Sequence, residues 1–160
     1  MKFLRGILVP SKKQEVSSLV QQLWVPEDRK TTLCIDSYTD GVLQGRFYGF
    51  DRKVQHFSSL SQFLILMEEL LEQTNTPQSD TTRRSFSALL RPDPSDHPRG
   101  SIRPGARATF ELQVLFRQHS SWQGTVRWRD QHREQSFRSV LELILLLDSA
   151  LRGLTGREAS

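Results

Sequence analysis

The chain has 160 residues, a length that suits one domain or two very small ones. Charged residues make up 25%, and 22 Lys+Arg against 18 Asp+Glu give a mildly basic net charge of +4. The single cysteine, Cys34, excludes an internal disulfide framework and a cysteine-based zinc site, and no apolar run approaches the roughly 20 residues of a membrane helix.

Residues 1–30 are predicted to form an arm and an amphipathic helix. Arg5 interrupts the first apolar stretch and no small-residue cleavage site follows, so the segment does not resemble a secretion signal. We therefore expect a cytoplasmic protein without membrane attachment. Ser11 and Gln14 fit a helix start after Pro10. The predicted apolar face of this helix consists of Val16, Leu19, Val20 and Leu23.

Residues 31–75 are predicted to form three strands and a helix. Apolar and polar residues alternate along two runs joined at Asp40-Gly41, a dipeptide that favours a tight hairpin. A short third run, Val54–Phe57, precedes Ser59 and Gln62, which fit a helix capping box. Apolar residues then recur at helical spacing. They are Leu60, Phe63, Leu64, Met67, Leu70 and Leu71.

Residues 76–108 are predicted to be a linker. The stretch 74–108 holds five of the seven prolines and six arginines, and proline at this density prevents a regular helix or strand. We expect the linker to be extended and, at least in part, mobile. The short run from Phe86 to Leu90 is predicted to dock on a domain surface.

Residues 109–153 repeat the pattern of residues 31–75, and a tail, 154–160, follows. Leu43-Gln44-Gly45 corresponds to Trp122-Gln123-Gly124, and Ser59 corresponds to Ser139 at nearly the same offset. Ser139 and Glu142 fit a second capping box, the third strand is predicted over Arg133–Phe137, and Gly153 is predicted to end the helix. The predicted fold is α+β, a tandem duplication of a ββ(β)α unit with antiparallel sheets.

One glycine stands at the same place in both second strands. Gly45 and Gly124 indicate a β-bulge, a close approach by the helix, or simply a tolerated small residue beneath a bulky neighbour.

The two predicted helices carry more apolar surface than one small sheet requires. Ile65 and Leu145 occupy equivalent positions nearly opposite the main apolar face, and Leu141 widens the stripe. We predict that the two units pack on each other, or on a second chain as a homodimer, through these helices. Alternatively, the N-terminal helix covers Ile65 and the core absorbs Leu145. Exposure of both side chains in a monomer would contradict the pairing of the units.

No catalytic or metal-binding pattern stands out. Cys34 lies among apolar strand residues, which favours a buried, inert thiol. The four histidines are far apart and never at ligand spacing, and no phosphate-binding glycine loop is present. We therefore predict no enzymatic activity, no metal and no cofactor.

A basic surface offers nucleic-acid binding as an alternative function, because arginines and an aromatic residue at outward sheet positions could contact phosphates and bases. Glu111, Asp130 and Glu134 lie close to several of these arginines, which favours a solvated face with ion pairs instead. The candidate macromolecule-binding residues are Arg83, Arg84, Arg91, Arg99, Arg103 and Arg107 of the linker, and Arg46, Tyr48, Arg117, Arg127, Arg129 and Arg133 of the two units.

Two segments resemble a known motif: Trp122-Gln123-Gly124-Thr125-Val126, and the stretch from Phe137 to Ile144. In small bacterial proteins, notably from clostridia, a Trp-x-Gly-x-Val strand precedes a Phe-x-Ser-x-x-Glu-Leu helix start. Residues 35–43 similarly resemble the first half of such two-part proteins. The resemblance implies a bacterial or phage-borne protein with a hairpin-plus-helix fold, and it brings no catalytic residues.

These patterns together favour a non-enzymatic binding protein, an adaptor or regulator whose partner is another protein. The alternative is a nucleic-acid-binding accessory protein that uses the arginine-rich linker and the basic sheet face of the second unit.

Overall fold

The computed structural model describes residues 29–86 and 100–158. They form an α+β fold, with a six-stranded antiparallel sheet and two helices. The strands are β1 (Thr31–Thr39), β2 (Val42–Tyr48), β3 (Val54–Phe57), β4 (Ala108–Phe116), β5 (Gln123–Trp128) and β6 (Arg133–Phe137), and the helices are α1 (Leu60–Thr74) and α2 (Val140–Glu158). The predicted N-terminal helix lies outside the described residues.

The strand order is β3-β2-β1-β4-β5-β6, so the two predicted units share one sheet. β1 and β4 pair antiparallel at its centre, from Thr31 opposite Leu112 to Ile35 opposite Ala108. The prediction of separate sheets is wrong in this respect. A three-stranded sheet would leave the backbone of β1 unpaired at one edge, and pairing with β4 satisfies that edge.

The two halves of the sheet have the same element order and matching ladders. β2 pairs with β3 from Gly45 opposite Phe57, and β5 pairs with β6 from Gly124 opposite Phe137. Each hairpin contains one irregularity, between Ile35 and Ser37 in β1 and between Val114 and Phe116 in β4. The strands of one half therefore have equivalents in the other, matched by their pairing register.

The glycines predicted to mark a bulge lie at these irregularities. A Cβ atom on Gly45 would lie 2.0 Å from the Cys34 carbonyl oxygen, and one on Gly124 would lie 2.0 Å from that of Gln113. The bulge prediction is confirmed. The close approach comes from the neighbouring strand, so the predicted approach by the helix is wrong.

The hydrophobic core lies between the helices and one face of the sheet. Phe63 of α1 contacts two strand aromatics, with ring centroids 5.6 Å from Phe47 and 5.2 Å from Phe57. Within the described residues, neither helix has the length and apolarity needed to cross a membrane. Other fully buried core residues are Leu33, Ile35, Met67, Leu71, Leu112, Phe137, Leu143 and Leu151.

Both predicted helix starts are confirmed. The Ser59 hydroxyl accepts a hydrogen bond from Gln62 N at 3.2 Å, and Ser139 does the same for Glu142 N at 3.2 Å. The Gln62 and Glu142 side chains reach back to the amide one residue before each serine. Left-handed Asn75 ends α1. α2 continues past Gly153 to Glu158, so the predicted end is wrong, because a helix tolerates an interior glycine at a cost of about 1 kcal/mol.

Residues 103–107 of the predicted linker cover the sheet face opposite the helices in the first half. The Arg103 carbonyl accepts a hydrogen bond from the Cys34 thiol at 3.1 Å, and Arg107 N donates to Ile35 O at 2.8 Å. Ala106 N donates to Asp36 at 3.0 Å. At the other end of the linker, Phe86 is fully exposed, which contradicts docking at that residue. Residues 87–90 lie outside the described residues.

The outward helix positions do not pair the two halves. Ile65 is 51% exposed and Leu145 is 57% exposed. The predicted packing of the units through these residues, and the alternative that the core absorbs Leu145, are therefore wrong for the described chain. The predicted cover of Ile65 by the N-terminal helix lies outside the described residues. The halves are joined by β1 and β4, and each helix buries its other side against the sheet. Pairing with a second chain stays a prediction.

Candidate functional site

Two equivalent grooves flank the helices at opposite ends of the sheet. Groove A lies between α1 and the turn that joins β4 to β5, and its volume is about 890 Å³. Groove B lies between α2 and the β1–β2 turn, and its volume is about 230 Å³. Groove A is lined by Leu64, Ile65, Glu68, Glu72, Arg117 and Trp122, with Ser79, Thr81, Thr82, Arg83 and Arg84 of the linker. Groove B is lined by Tyr38, Leu43, Leu60, Ile144, Leu145, Asp148 and Arg152.

A buried cation organises groove A. The Arg117 side chain is 2% exposed, and its Nη2 lies 2.5 Å from Glu68 Oε1 and also contacts Glu72. Arg117 Nη1 donates to the Pro77 carbonyl at 3.3 Å, and Trp122 Nε1 donates to Glu68 Oε2 at 2.6 Å. Because its donors point to protein acceptors, Arg117 holds α1 and the linker against the strand turn.

Groove B has a different polar cluster at the equivalent positions. Tyr38 is the counterpart of Arg117, and its hydroxyl donates a hydrogen bond to Asp148. Arg152 Nε lies 2.9 Å from the same carboxylate. The hydrogen bond to Asp148 raises the pKa of Tyr38. Tyr38 and then Arg152 hold the pKa of Asp148 below its ordinary value. The cation of groove A, Arg117, directly follows strand β4, whereas the cation of groove B, Arg152, lies on helix α2.

Exposed apolar side chains stand beside both grooves. Ile65 belongs to the wall of groove A and Leu145 to that of groove B, while Leu141, one turn earlier on α2, is 64% exposed. We call Ile65, Leu141 and Leu145 the outer helix residues. Each groove thus combines an apolar wall, a polar cluster and an exposed apolar side chain.

The candidate residues Arg46 and Tyr48 lie on the sheet face opposite the helices, but residues 103–107 cover them. Arg46 Nη1 lies 2.5 Å from Asp36, and Nη2 donates to the Arg103 and Pro104 carbonyls at 2.9 and 3.0 Å. The buried Tyr48 hydroxyl accepts from Arg46 Nε and from Arg103 N, both at 3.3 Å. Arg46, Tyr48 and the buried Arg117 are thus engaged in contacts within the fold, and their role as contacts for a macromolecule stays a prediction.

The contacts between Arg46 and Asp36 shift the pKa values of both side chains. Burial alone would raise the pKa of Asp36, but hydrogen bonds from Arg46 and from the Ala106 amide outweigh it and lower the pKa. The hydrogen bond to Asp36, followed by that to Tyr48, raises the pKa of Arg46 further above its ordinary value. This cluster fastens the linker to the sheet.

The remaining candidate arginines are spread over different surfaces. Arg127 lies on the sheet face opposite the helices, in a shallow polar depression with Glu111 and Glu134, and Arg129 lies 3.6 Å from Glu111. This geometry matches the solvated ion-pair face that the sequence favours. Arg83 and Arg84 line groove A, and Arg133 lines a cleft beside α2. Arg103 is exposed and Arg107 is half-buried. Arg91 and Arg99 lie outside the described residues.

Within the described part of the chain, no group of three or more His, Cys, Asp and Glu residues is arranged to hold a metal ion. The prediction of a buried thiol is confirmed at Cys34, where burial, the largest influence, raises the pKa. Sequence reasoning missed both grooves. Their clearest signal was the pair Glu68 and Glu72, one helical turn apart on a helix predicted to be largely apolar.

Comparison with protein-family models gave no match, and neither did searches of curated proteins and of solved structures. The resemblance to small clostridial proteins therefore stays a prediction.

Proposed function

We propose that this chain is a non-enzymatic binding protein, an adaptor or regulator that contacts another protein through its outer helix residues and groove A. The observation that carries the proposal is the exposure of Ile65 and Leu145 at 51% and 57% beside the two grooves. Complete burial of such a side chain contributes about 1.5–3 kcal/mol, so covering the exposed half of each contributes about 1 kcal/mol.

Groove A has the features of an interface centre. Leu64 and Ile65 supply apolar surface, and Glu68 and Glu72, paired with the buried Arg117, supply a polar wall. Protein interfaces commonly combine an apolar centre with a polar rim. The partner that fits is a protein segment that inserts an apolar side chain next to Ile65 and places polar groups against Arg83 and Arg84.

We infer that the two halves are copies of one ancestral ββ(β)α unit whose grooves have diverged. The shared element order, the matching bulges and the equivalent capping serines support this origin. After duplication, one groove would keep its binding to a partner protein while the other changes. Because groove A has the larger volume, we assign the binding of the partner protein to groove A.

The alternative, nucleic-acid binding, has less support. Arg127 and Arg129 are exposed, but Glu111 and Glu134 share their surface, and Arg46, Tyr48 and Arg117 are engaged within the fold. A nucleic-acid site needs a surface on which cations predominate. Binding that falls steeply with rising salt would favour this alternative.

A photo-crosslinking amino acid at position 65 tests the proposal in the cells that naturally produce the chain. A matched control places the same group at Thr125, on the sheet face opposite the helices. We expect a discrete protein adduct from position 65 and none from position 125. Excess unlabelled wild-type chain should compete the adduct away, whereas the Ile65→Asp chain should not.

Two results would refute the proposal. Equal protein adducts from positions 65 and 125 would mean that the helices have no special role. Adducts that contain only nucleic acid, together with strongly salt-dependent binding of the purified chain to RNA or DNA, would establish the alternative.

A further inference from the structure

We propose that the second half of the chain binds a small aromatic acid of one or two rings in a cleft between α2 and strands β5 and β6. The cleft has a volume of about 240 Å³ and lies apart from grooves A and B. Its apolar wall includes Phe110, Val126, Trp128, Leu147 and Ala150, and Arg133 lies at its margin. This inference does not depend on the proposed protein partner.

The first observation is a buried hydrogen-bond donor. Trp128 Nε1 has no hydrogen-bond acceptor among the described residues, although the atom is buried. Only one other side-chain N or O atom in that part of the chain, Thr31 Oγ1, is in the same condition. Buried polar groups are normally hydrogen-bonded. Trp128 lines the cleft, so a ligand acceptor would satisfy this donor after a small movement of the side chains that shield it from solvent.

The second observation is that the other half of the sheet fills the equivalent space. Gly49 and Leu70 are the counterparts of Trp128 and Ala150. A Cβ atom on Gly49 would lie 3.3 Å from Leu70 Cδ2, so the leucine side chain occupies the room above the glycine. In the second half the large residue is on the strand and the small one on the helix. The cleft therefore arises from this particular pair and is not a general result of the fold.

The lining selects the ligand chemistry. Phe110 and Trp128 stack with centroids 5.9 Å apart and ring planes 30° apart, which gives the cleft a flat aromatic wall. An apolar cavity of about 150 Å³ holds benzene, so about 240 Å³ admits one or two rings. A carboxylate on the ring would accept a hydrogen bond from Trp128 and pair with the Arg133 guanidinium, while Gln135 and Ser149 are the other polar residues of the lining.

Titration of the ¹⁵N-labelled full chain with 2-naphthoate, followed by NMR, tests the site. The chain has three tryptophans, and the Trp128 indole signal is identified by its absence in Trp128→Phe. We expect a saturable downfield shift of this signal, as an indole N–H shows when it gains an acceptor. Naphthalene-2-carboxamide, which keeps an acceptor and lacks the charge, should bind at least threefold more weakly.

Two variants separate the contributions. Ala150→Leu fills the cleft as Leu70 does in the first half, and it should weaken 2-naphthoate binding at least tenfold while the amide spectrum stays folded. Arg133→Gln should weaken the acid and leave the affinity for the carboxamide unchanged. The proposal fails if neither probe shifts the Trp128 signal saturably, or if Ala150→Leu binds 2-naphthoate as tightly as the wild type.

Discussion

Replacing Arg117 with methionine removes the cation of groove A and keeps much of the apolar stem. Its side chain is 2% exposed, whereas those of Glu68 and Glu72 are 27% and 49% exposed. Removing one partner of a buried ion pair costs about 3–5 kcal/mol, because the other charge is left unpaired away from water. Since both carboxylates keep some solvent contact, we discount this cost and expect a loss of about 2–3 kcal/mol in the free energy of unfolding.

Urea unfolding at pH 7, followed by circular dichroism, measures this loss. The matched control is Tyr38→Phe at the equivalent position of groove B, where we expect about 1 kcal/mol or less from one hydrogen bond. Adding Glu68→Gln to Arg117→Met should recover about 1 kcal/mol, because it removes an unpaired carboxylate. A loss at Arg117 no larger than that at Tyr38 would refute the role of the buried cation.

Four further substitutions test the fold. Gly124→Ala should lower the free energy of unfolding by about 3 kcal/mol or more, because its Cβ atom would lie 2.0 Å from a backbone oxygen. Gly153→Ala, whose Cβ atom would meet nothing within 4 Å, should stabilise α2 by about 0.5–1 kcal/mol. Equal effects of the two substitutions in urea unfolding would contradict this. The lowered pKa of Asp36 contributes stability that is complete above its unfolded pKa of about 3.9 and is lost as the pH falls through the folded value. Asp36→Asn should therefore flatten the acid-unfolding profile below about pH 4, and an unchanged profile would refute the Arg46 contact as its cause. Ser139→Ala should lower the thermal-unfolding free energy by about 1 kcal/mol through loss of the helix cap, and an unchanged midpoint would show that the cap contributes nothing.

The parts of the fold that depend on neighbouring residues could be predicted from the sequence. The third strands, Val54–Phe57 and Arg133–Phe137, have the predicted bounds, and the hairpin turn at Asp40-Gly41 has the positive φ angles that this dipeptide favours. Ser59 and Ser139 cap the two helices at the predicted positions. These features form from interactions over a few residues, which a single sequence contains in full.

The joining of the halves could not be predicted in the same way. β1 and β4 are separated in the chain by two strands, a helix and the linker, and no local pattern identifies which strand another strand will meet. A clue was present in β1, where Thr32 and Cys34, on the face opposite the helices, are small and are buried. Alternation alone predicts a strand with one solvated face, so the cover by residues 103–107 was not foreseen.

The candidate site shows the same limit. The strand register correctly placed Arg46 and Tyr48 on the face away from the core, but a proline-rich segment from elsewhere in the chain removes that face from solvent. Arg117 pairs with carboxylates of α1, which lies in the other half of the chain. From composition alone, such arginines are expected on a basic surface, because composition does not show which carboxylates and carbonyls they will contact in the fold.

The central position of β1 has a consequence during protein synthesis. β1 ends at Thr39 and β4 ends at Phe116, with most of the first half and the whole linker between them. At about 5–20 residues per second, a ribosome takes roughly 4–15 s to supply this stretch. For most of that interval the β1–β2 hairpin is complete, but the outer edge of the apolar strand β1 stays unpaired until β4 has been synthesised. We expect newly made chains to be most vulnerable to aggregation, and most dependent on holding chaperones, in those seconds.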